Sequence, residues 1–238
     1  MINTLFNEMR KLDFNQCNGM ENIDVMKGPG FFPGCIGTVN NSIDIRNTEV
    51  MVLGQDFDTV KNYGNIDPIK GEIGNNKTWH NLIRLLDDLH IDIQNCFFTN
   101  AYMGLRSGTE VKNTGRSPAA KRSAVGFAEE CYSFFKRQLH IVRPKLVLVL
   151  GKETAKFLTK AFPKEFKKWE NIPTLKQFYT NENAVFNDFA FEGEKIRFVL
   201  VLHPSMSNIN RVVIWGKNPE EEIRILTDAL KGELFDNK

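Results

Sequence analysis

Residues 49–58 read E-V-M-V-L-G-Q-D-F-D. Four apolar residues, Val50 to Leu53, stop at Gly54, and an amide and two carboxylates follow at Gln55, Asp56 and Asp58. A short apolar run closed by glycine predicts a buried strand that reaches the edge of a sheet. Open α/β sheets bind their ligands at the carboxyl ends of their strands. Gln55, Asp56 and Asp58 therefore fall where chemistry is usually placed, although the same pattern also describes a strand end with a solvated polar turn.

The pattern recurs along the chain. C-F-F-T at 96–99 predicts a second strand ending in Asn100, K-L-V-L-V-L at 145–150 a third closed by Gly151, and I-R-F-V-L-V-L at 196–202 a fourth running into His203-Pro204-Ser205. Helical spacing of apolar residues predicts helices over 78–90, 119–140, 154–162 and 219–231. Strands alternating with helices predict a single-domain α/β fold, with a four-stranded, mainly parallel central sheet flanked by helices on both faces. Residues 1–26 read as a short amphipathic helix and its exit, an N-terminal extension of one domain spanning 1–238. K-G-P-G-F-F-P-G at 27–34 predicts a rigid loop anchored by Phe31 and Phe32, either pinned to the core or walling a pocket. Polar loops are expected from 55 to 76 and over 103–118, and residues 163–194 show no clear period.

Bulk properties narrow the class. A hydrophobic content of 42% over 238 residues is enough for one core. A net charge of +2 permits a nucleic-acid partner without arguing for one. The four cysteines, Cys17, Cys35, Cys96 and Cys131, form no C-x-x-C pair, which argues against a zinc ribbon. With no run of 18 apolar residues and no apolar leader, the expected setting is soluble, reducing and cytoplasmic, with no membrane contact.

In a parallel sheet the ends of the first, second and fourth strands lie on one edge, so Asp56, Asn100 and His203 would converge. An amide beside an imidazole reads the polar edge of a planar heterocycle. A carboxylate opposite them positions water or stabilises an oxocarbenium-like sugar, and an imidazole donor stabilises a departing base. Such a set suits hydrolysis of a base–sugar bond, and in nucleic acid that base must leave the stack. Asp58 is a rival carboxylate in the same turn. Arg106, Lys112, Arg116, Lys121 and Arg122 are either a solvated charged region or contacts to phosphate.

G-Q-D at 54–56, T-N-A at 99–101, R-P-K-L-V-L-V-L-G at 143–151 and H-P-S at 203–205, in order and at four strand ends, resemble the uracil-DNA glycosylase superfamily over roughly residues 30–230. The resemblance implies a monofunctional DNA glycosylase acting on uracil or a related damaged base in single- or double-stranded DNA, as a monomer. It gives Asp56 the place of the water-activating acid and His203 that of the histidine bonding uracil O2. Gly54, Gln55, Asn100 and Phe57 would form the base site, with the Gln55 backbone on the uracil edge and Asn100 reading uracil against cytosine. Ser205, Met206, Ser207 and Arg211 would contact DNA.

Three stretches depart from the pattern, one of them G-E-I-G at 71–74, where thermophilic members have G-x-P-F-V-G. Phe57-Asp58 stands where the family has Pro-Tyr, the tyrosine excluding thymine by its bulk. Met206-Ser207 stands where Pro-Leu usually supplies the wedge that fills the emptied stack, leaving Met206 or Ile209 for that task. Phe57, Tyr63 and Phe31 are alternatives for the stacking aromatic. Thermophilic members hold an iron–sulfur cluster on four cysteines; only Cys131 resembles one of those positions, so no cofactor and no metal are expected. The alternatives left open are a glycosylase-like module that binds DNA or protein without catalysis, and an enzyme acting on free nucleosides.

Overall fold

The computed structural model of the 238-residue chain describes residues 2–25, 27, 30–32, 45, 48–74, 77–107, 116–171, 174–180, 185–216, 218 and 220–231. Its strands are β1 (Met20–Glu21), β2 (Val50–Gly54), β3 (Cys96–Asn100), β4 (Leu105–Arg106), β5 (Leu146–Leu150), β6 (Phe186–Phe191) and β7 (Glu194–Val201). Its helices are α1 (Ile2–Met9), α2 (Val60–Gly64), α3 (Lys77–Asp88), α4 (Val125–Val142), α5 (Lys152–Ala161), α6 (Lys167–Glu170), α7 (Leu175–Thr180), α8 (Ser207–Trp215) and α9 (Glu220–Leu230).

The central sheet has the order β3-β2-β5-β7-β6. The first four strands run parallel, and every residue of β2, β3 and β5 is buried. Successive side chains of a strand point to opposite faces, so burial of all five residues means that both faces of the sheet are covered. That is why these strands read as unbroken apolar runs. One cluster of buried apolar side chains extends from Leu5 on α1 to Leu230 on α9.

The expected four-stranded sheet is corrected to five strands. β6 pairs antiparallel with β7 and forms the far edge, half-exposed along most of its length. Phe191 pairs with Glu194 across the two-residue turn Glu192-Gly193, whose φ angles are 50° and 88°. Positive φ at both positions is the type I′ hairpin turn, and Glu-Gly signals it more weakly than Asn-Gly does.

Two further differences lie near the expected site. Residues 118–124 form two 3-10 turns, so α4 begins at Val125 instead of at the expected Ala119. The polar 103–118 stretch contributes β4, which pairs antiparallel with β1. Residues 108–115 of that loop, and much of the 27–34 loop, lie outside the described residues.

Candidate active site

Parallel register brings the strand ends level. Gly54 of β2 faces Asn100 of β3. The pairing continues past both strands: Ala101 N–H donates to Gly54 O at 2.9 Å, Tyr102 N–H to Gln55 O at 2.8 Å, Phe57 N–H to Gly104 O at 3.4 Å and Arg106 N–H to Asp58 O at 2.7 Å. The G-Q-D-F-D turn is thus laced residue by residue to the segment after β3. A Cβ on Gly54 would sit 2.3 Å from Asn100 Oδ1 and 2.9 Å from the Phe31 ring, so only glycine allows this approach.

A cleft of about 560 Å³ opens at this edge, lined among others by Phe31, Gln55, Asp56, Asn100, Arg106 and His203. Phe31 packs on Trp79 with ring centroids 5.0 Å apart, so one aromatic wall is already in place beside Gly54. Asn100 is 1% exposed, and its Nδ2 has no hydrogen-bond partner among the described residues. A buried amide donor left unpaired costs roughly 1–3 kcal/mol, which a ligand carbonyl would recover.

The Asp56 side chain is 5% exposed. Its Oδ1 accepts from Asp58 N–H at 3.2 Å and lies 3.4 Å from Arg106 Nε. Its buried Oδ2 makes no hydrogen bond of good geometry, the Ser117 hydroxyl being near enough to favour the charged form. Burial pushes the carboxyl above its ordinary value, and the Arg106 guanidinium is the largest opposing influence. Asp58, at φ 70°, binds Arg106 Nη2 and Asn62 Nδ2, each at 2.8 Å. Phe57 is buried with its ring edge-on to Tyr63, while it too lines the cleft.

His203 enters from β7 across Gly151. A Cβ at Gly151, whose φ is 82°, would lie 3.0 Å from His203 Cβ. The imidazole Nδ1 accepts from Ser205 N–H at 3.4 Å and meets Ser205 Oγ at 2.8 Å. An Nδ1 that accepts leaves the ring proton on Nε2. Burial also holds the imidazole below its ordinary value, which favours the neutral ring. The site therefore presents a neutral N–H donor. Asn81 of α3 and Ser207 fix the turn by donating to Pro204 O, at 2.7 and 3.0 Å.

The remaining expected DNA contacts divide. Met206 is 46% exposed at the cleft mouth, and Ile209, Val212 and Val213 of α8 are also exposed. Ser207 is buried, its hydroxyl spent on Pro204. Arg211 turns inward onto Glu222, a fully buried carboxylate that also accepts from Leu202 N–H at 3.3 Å. Arg106 is 11% exposed and committed to the two aspartates. Arg116 is exposed and lies 3.8 Å from Glu153; Lys121 and Arg122 are exposed; Lys112 lies outside the described residues.

Sequence reasoning missed Glu72. It lines the cleft, accepts from Trp79 Nε1 at 3.1 Å and packs over Gly30. Burial raises its carboxyl to about 7. G-E-I-G at 71–74 carries no periodicity, and a lone glutamate between glycines reads as a solvated loop.

Among the described residues no group of three or more His, Cys, Asp or Glu could hold a metal. Cys17, Cys96 and Cys131 are buried free thiols, and Cys35 lies outside the described residues. No described helix is long and apolar enough to cross a membrane. A family model described as the uracil DNA glycosylase superfamily matches residues 42–231, well over half of the chain. No curated protein matches it.

Proposed function

The chain belongs to the uracil-DNA glycosylase superfamily, and from that premise we propose that it hydrolyses the N-glycosidic bond of uracil or a related damaged base flipped out of DNA. One observation carries this reading: Asp56, Asn100 and His203, from three different strand ends, line one cleft beside the Phe31 ring. Residues 1–238 act as one such domain, with 1–26 as its extension, and the protein works as a cytoplasmic monomer in base excision repair.

The chemistry follows from the groups in place. The extruded base stacks on Phe31, and the Asn100 Nδ2 donor meets a base carbonyl. As the bond from sugar C1′ to the base breaks, its electron pair moves onto the base. The neutral His203 Nε2–H stabilises the resulting oxyanion from a dry, preorganised position. The Asp56 carboxylate stabilises the cationic sugar and orients the water that adds to C1′. The proton that this water sheds as its oxygen bonds to C1′ ends on the departing base anion, so free base and an abasic site result. Asp58 stands where the family's tyrosine excludes thymine, so the pocket edge is polar and less crowded.

Incubation with a uracil-containing oligonucleotide followed by alkali tests the reading. Cleavage is expected, with Asp56→Asn lowering kcat by about 10²–10³-fold. No product on single- or double-stranded uracil, hypoxanthine, xanthine or mismatched-thymine DNA would sink it. A second reading, binding without cleavage, is favoured by Phe57-Asp58 and Met206-Ser207, which depart from the family's Pro-Tyr and Pro-Leu. That reading requires DNA binding that survives Asp56→Asn with no product in either protein. Activity on free deoxyuridine alone would point to a nucleoside enzyme.

A further inference from the structure

Arg106 is a cation that the proposed reaction does not use. It sits in β4 with its side chain 11% exposed, and its guanidinium spans two carboxylates. Nη2 donates to Asp58 Oδ1 at 2.8 Å, and Nε lies 3.4 Å from Asp56 Oδ1. Its own backbone N–H binds Asp58 O at 2.7 Å, and the chain then bridges in parallel to Thr59. Side chain and main chain of one residue thus hold the same turn.

We propose that Arg106 is a positioning residue: one guanidinium, shared between Asp56 and Asp58, fixes the Asp56 carboxylate in the cleft. The inference rests on the reading of Asp56 as the acting acid. Three physical points support it. First, Nη2 holds Asp58 by a hydrogen bond while the delocalised charge of the same rigid plane pairs with Asp56 through Nε, which makes no hydrogen bond of good geometry; a lysine ammonium is a point charge on a flexible stem and cannot divide itself in this way. Second, Asp58 adopts a left-handed backbone at φ 70°. A non-glycine residue is strained there, and strain of this kind persists only where the surroundings over-determine it. The Arg106 and Asn62 contacts supply that determination. Third, two close carboxylates repel one another, and a single cation between them leaves one net negative charge beside the sugar. The other charged or titratable groups that line the cleft are Tyr63, Glu72, Lys152, Glu153 and His203. Ser117 approaches Asp56 from the segment before α4.

The pairing has a directional consequence. Burial pushes Asp56 up and Arg106 draws it down, while Asp58 both repels Asp56 and competes for the cation. Removing Arg106 must move the Asp56 titration to higher pH, and removing the Asp58 charge must move it lower.

The test is a carbon-13 NMR titration of the Asp56 carboxyl in the full chain, for wild type, Arg106→Gln, Arg106→Lys and Asp58→Asn. Activity against pH on a uracil oligonucleotide is measured in parallel. Arg106→Gln is expected to raise the Asp56 midpoint, to carry the acidic limb of the rate profile with it, and to lower kcat about a hundredfold with KM little changed. Arg106→Lys should fall between Gln and wild type, and Asp58→Asn should shift the midpoint downward. An Asp56 midpoint unmoved by Arg106→Gln, or an Arg106→Lys protein equal to wild type, overturns the proposal. If Arg106→Gln does not fold, Asp58→Asn decides, and an unmoved or raised midpoint overturns it. Should the wild type cleave no DNA, the functional reading fails alone, because the titration still reports on the clamp.

Discussion

Glu72 and His203 are both half-buried, titratable and part of one cleft lining, yet desolvation drives them in opposite senses. The folded Glu72 carboxyl binds its proton up to about 7, against an ordinary value of 4.5. Between those values the folded chain holds a proton that the unfolded chain has released, so this group's contribution to stability declines as pH rises from 4.5 to 7. The folded His203 refuses a proton that the unfolded chain accepts, so its contribution declines as pH falls through about 6.5. Glu72→Gln keeps the acceptor for Trp79 Nε1 and removes the titration. Relative to wild type the variant should gain stability between pH 5 and pH 8, by roughly 3 kcal/mol at most. Urea unfolding at the two pH values measures it, and a constant difference would show that Glu72 is not held protonated.

At the scale of elements, the β6–β7 hairpin and α8 are among the parts that periodicity did not reveal, as are the short helices α2, α6 and α7. The hairpin depends on Gly193 at φ 88°, with nothing within 4 Å of where a Cβ would stand. Gly193→Ala therefore costs only the backbone strain, about 1 kcal/mol. Thermal unfolding should show that loss while activity is kept, since the turn is remote from the cleft. S-N-I-N-R-V-V-I-W keeps no single apolar stripe, because Ile209, Val212 and Val213 face out and have nothing to pack on. With Met206, which lines the cleft, they form an exposed apolar ridge that begins at the cleft and continues along α8. If the ridge holds a duplex open, Met206→Ala with Ile209→Ala should lower activity on double-stranded substrate about tenfold while sparing single-stranded substrate, where no stack must be broken. Equal losses on both substrates would assign the ridge another task.

For the whole molecule, charge is close to balanced, with 31 basic and 29 acidic residues, so DNA affinity must come from local groups. Arg211 and Arg106 are turned inward. Lys121 and Arg122 are exposed on the 3-10 turns ahead of α4, and under the proposed function they are candidates for phosphate contact. Arg122→Ala should weaken DNA binding evenly across sequences and reduce the slope of log K against log salt by about 1. Fluorescence anisotropy from 50 to 200 mM salt reads both.

Sequence alone determined the four parallel strands, because strands buried on both faces must be apolar throughout and so stand out against everything else. It also determined the ends of those strands, where Gly54, Asn100, Gly151 and His203 break each run. It did not determine the fifth strand, since an edge strand is half-solvated and its Glu-Gly turn is a weak signal. Tertiary structure alone decided what the polar residues do. Arg106 reads as a solvated charge or a phosphate contact until the pairing beyond β2 and β3 places it between Asp56 and Asp58. Arg211 reads as a DNA contact until Glu222, eleven residues on, is seen buried beneath it. The apolar pattern is local and survives in one dimension. The partner of a charge is chosen by burial and by long-range approach, and those exist only once the chain has folded.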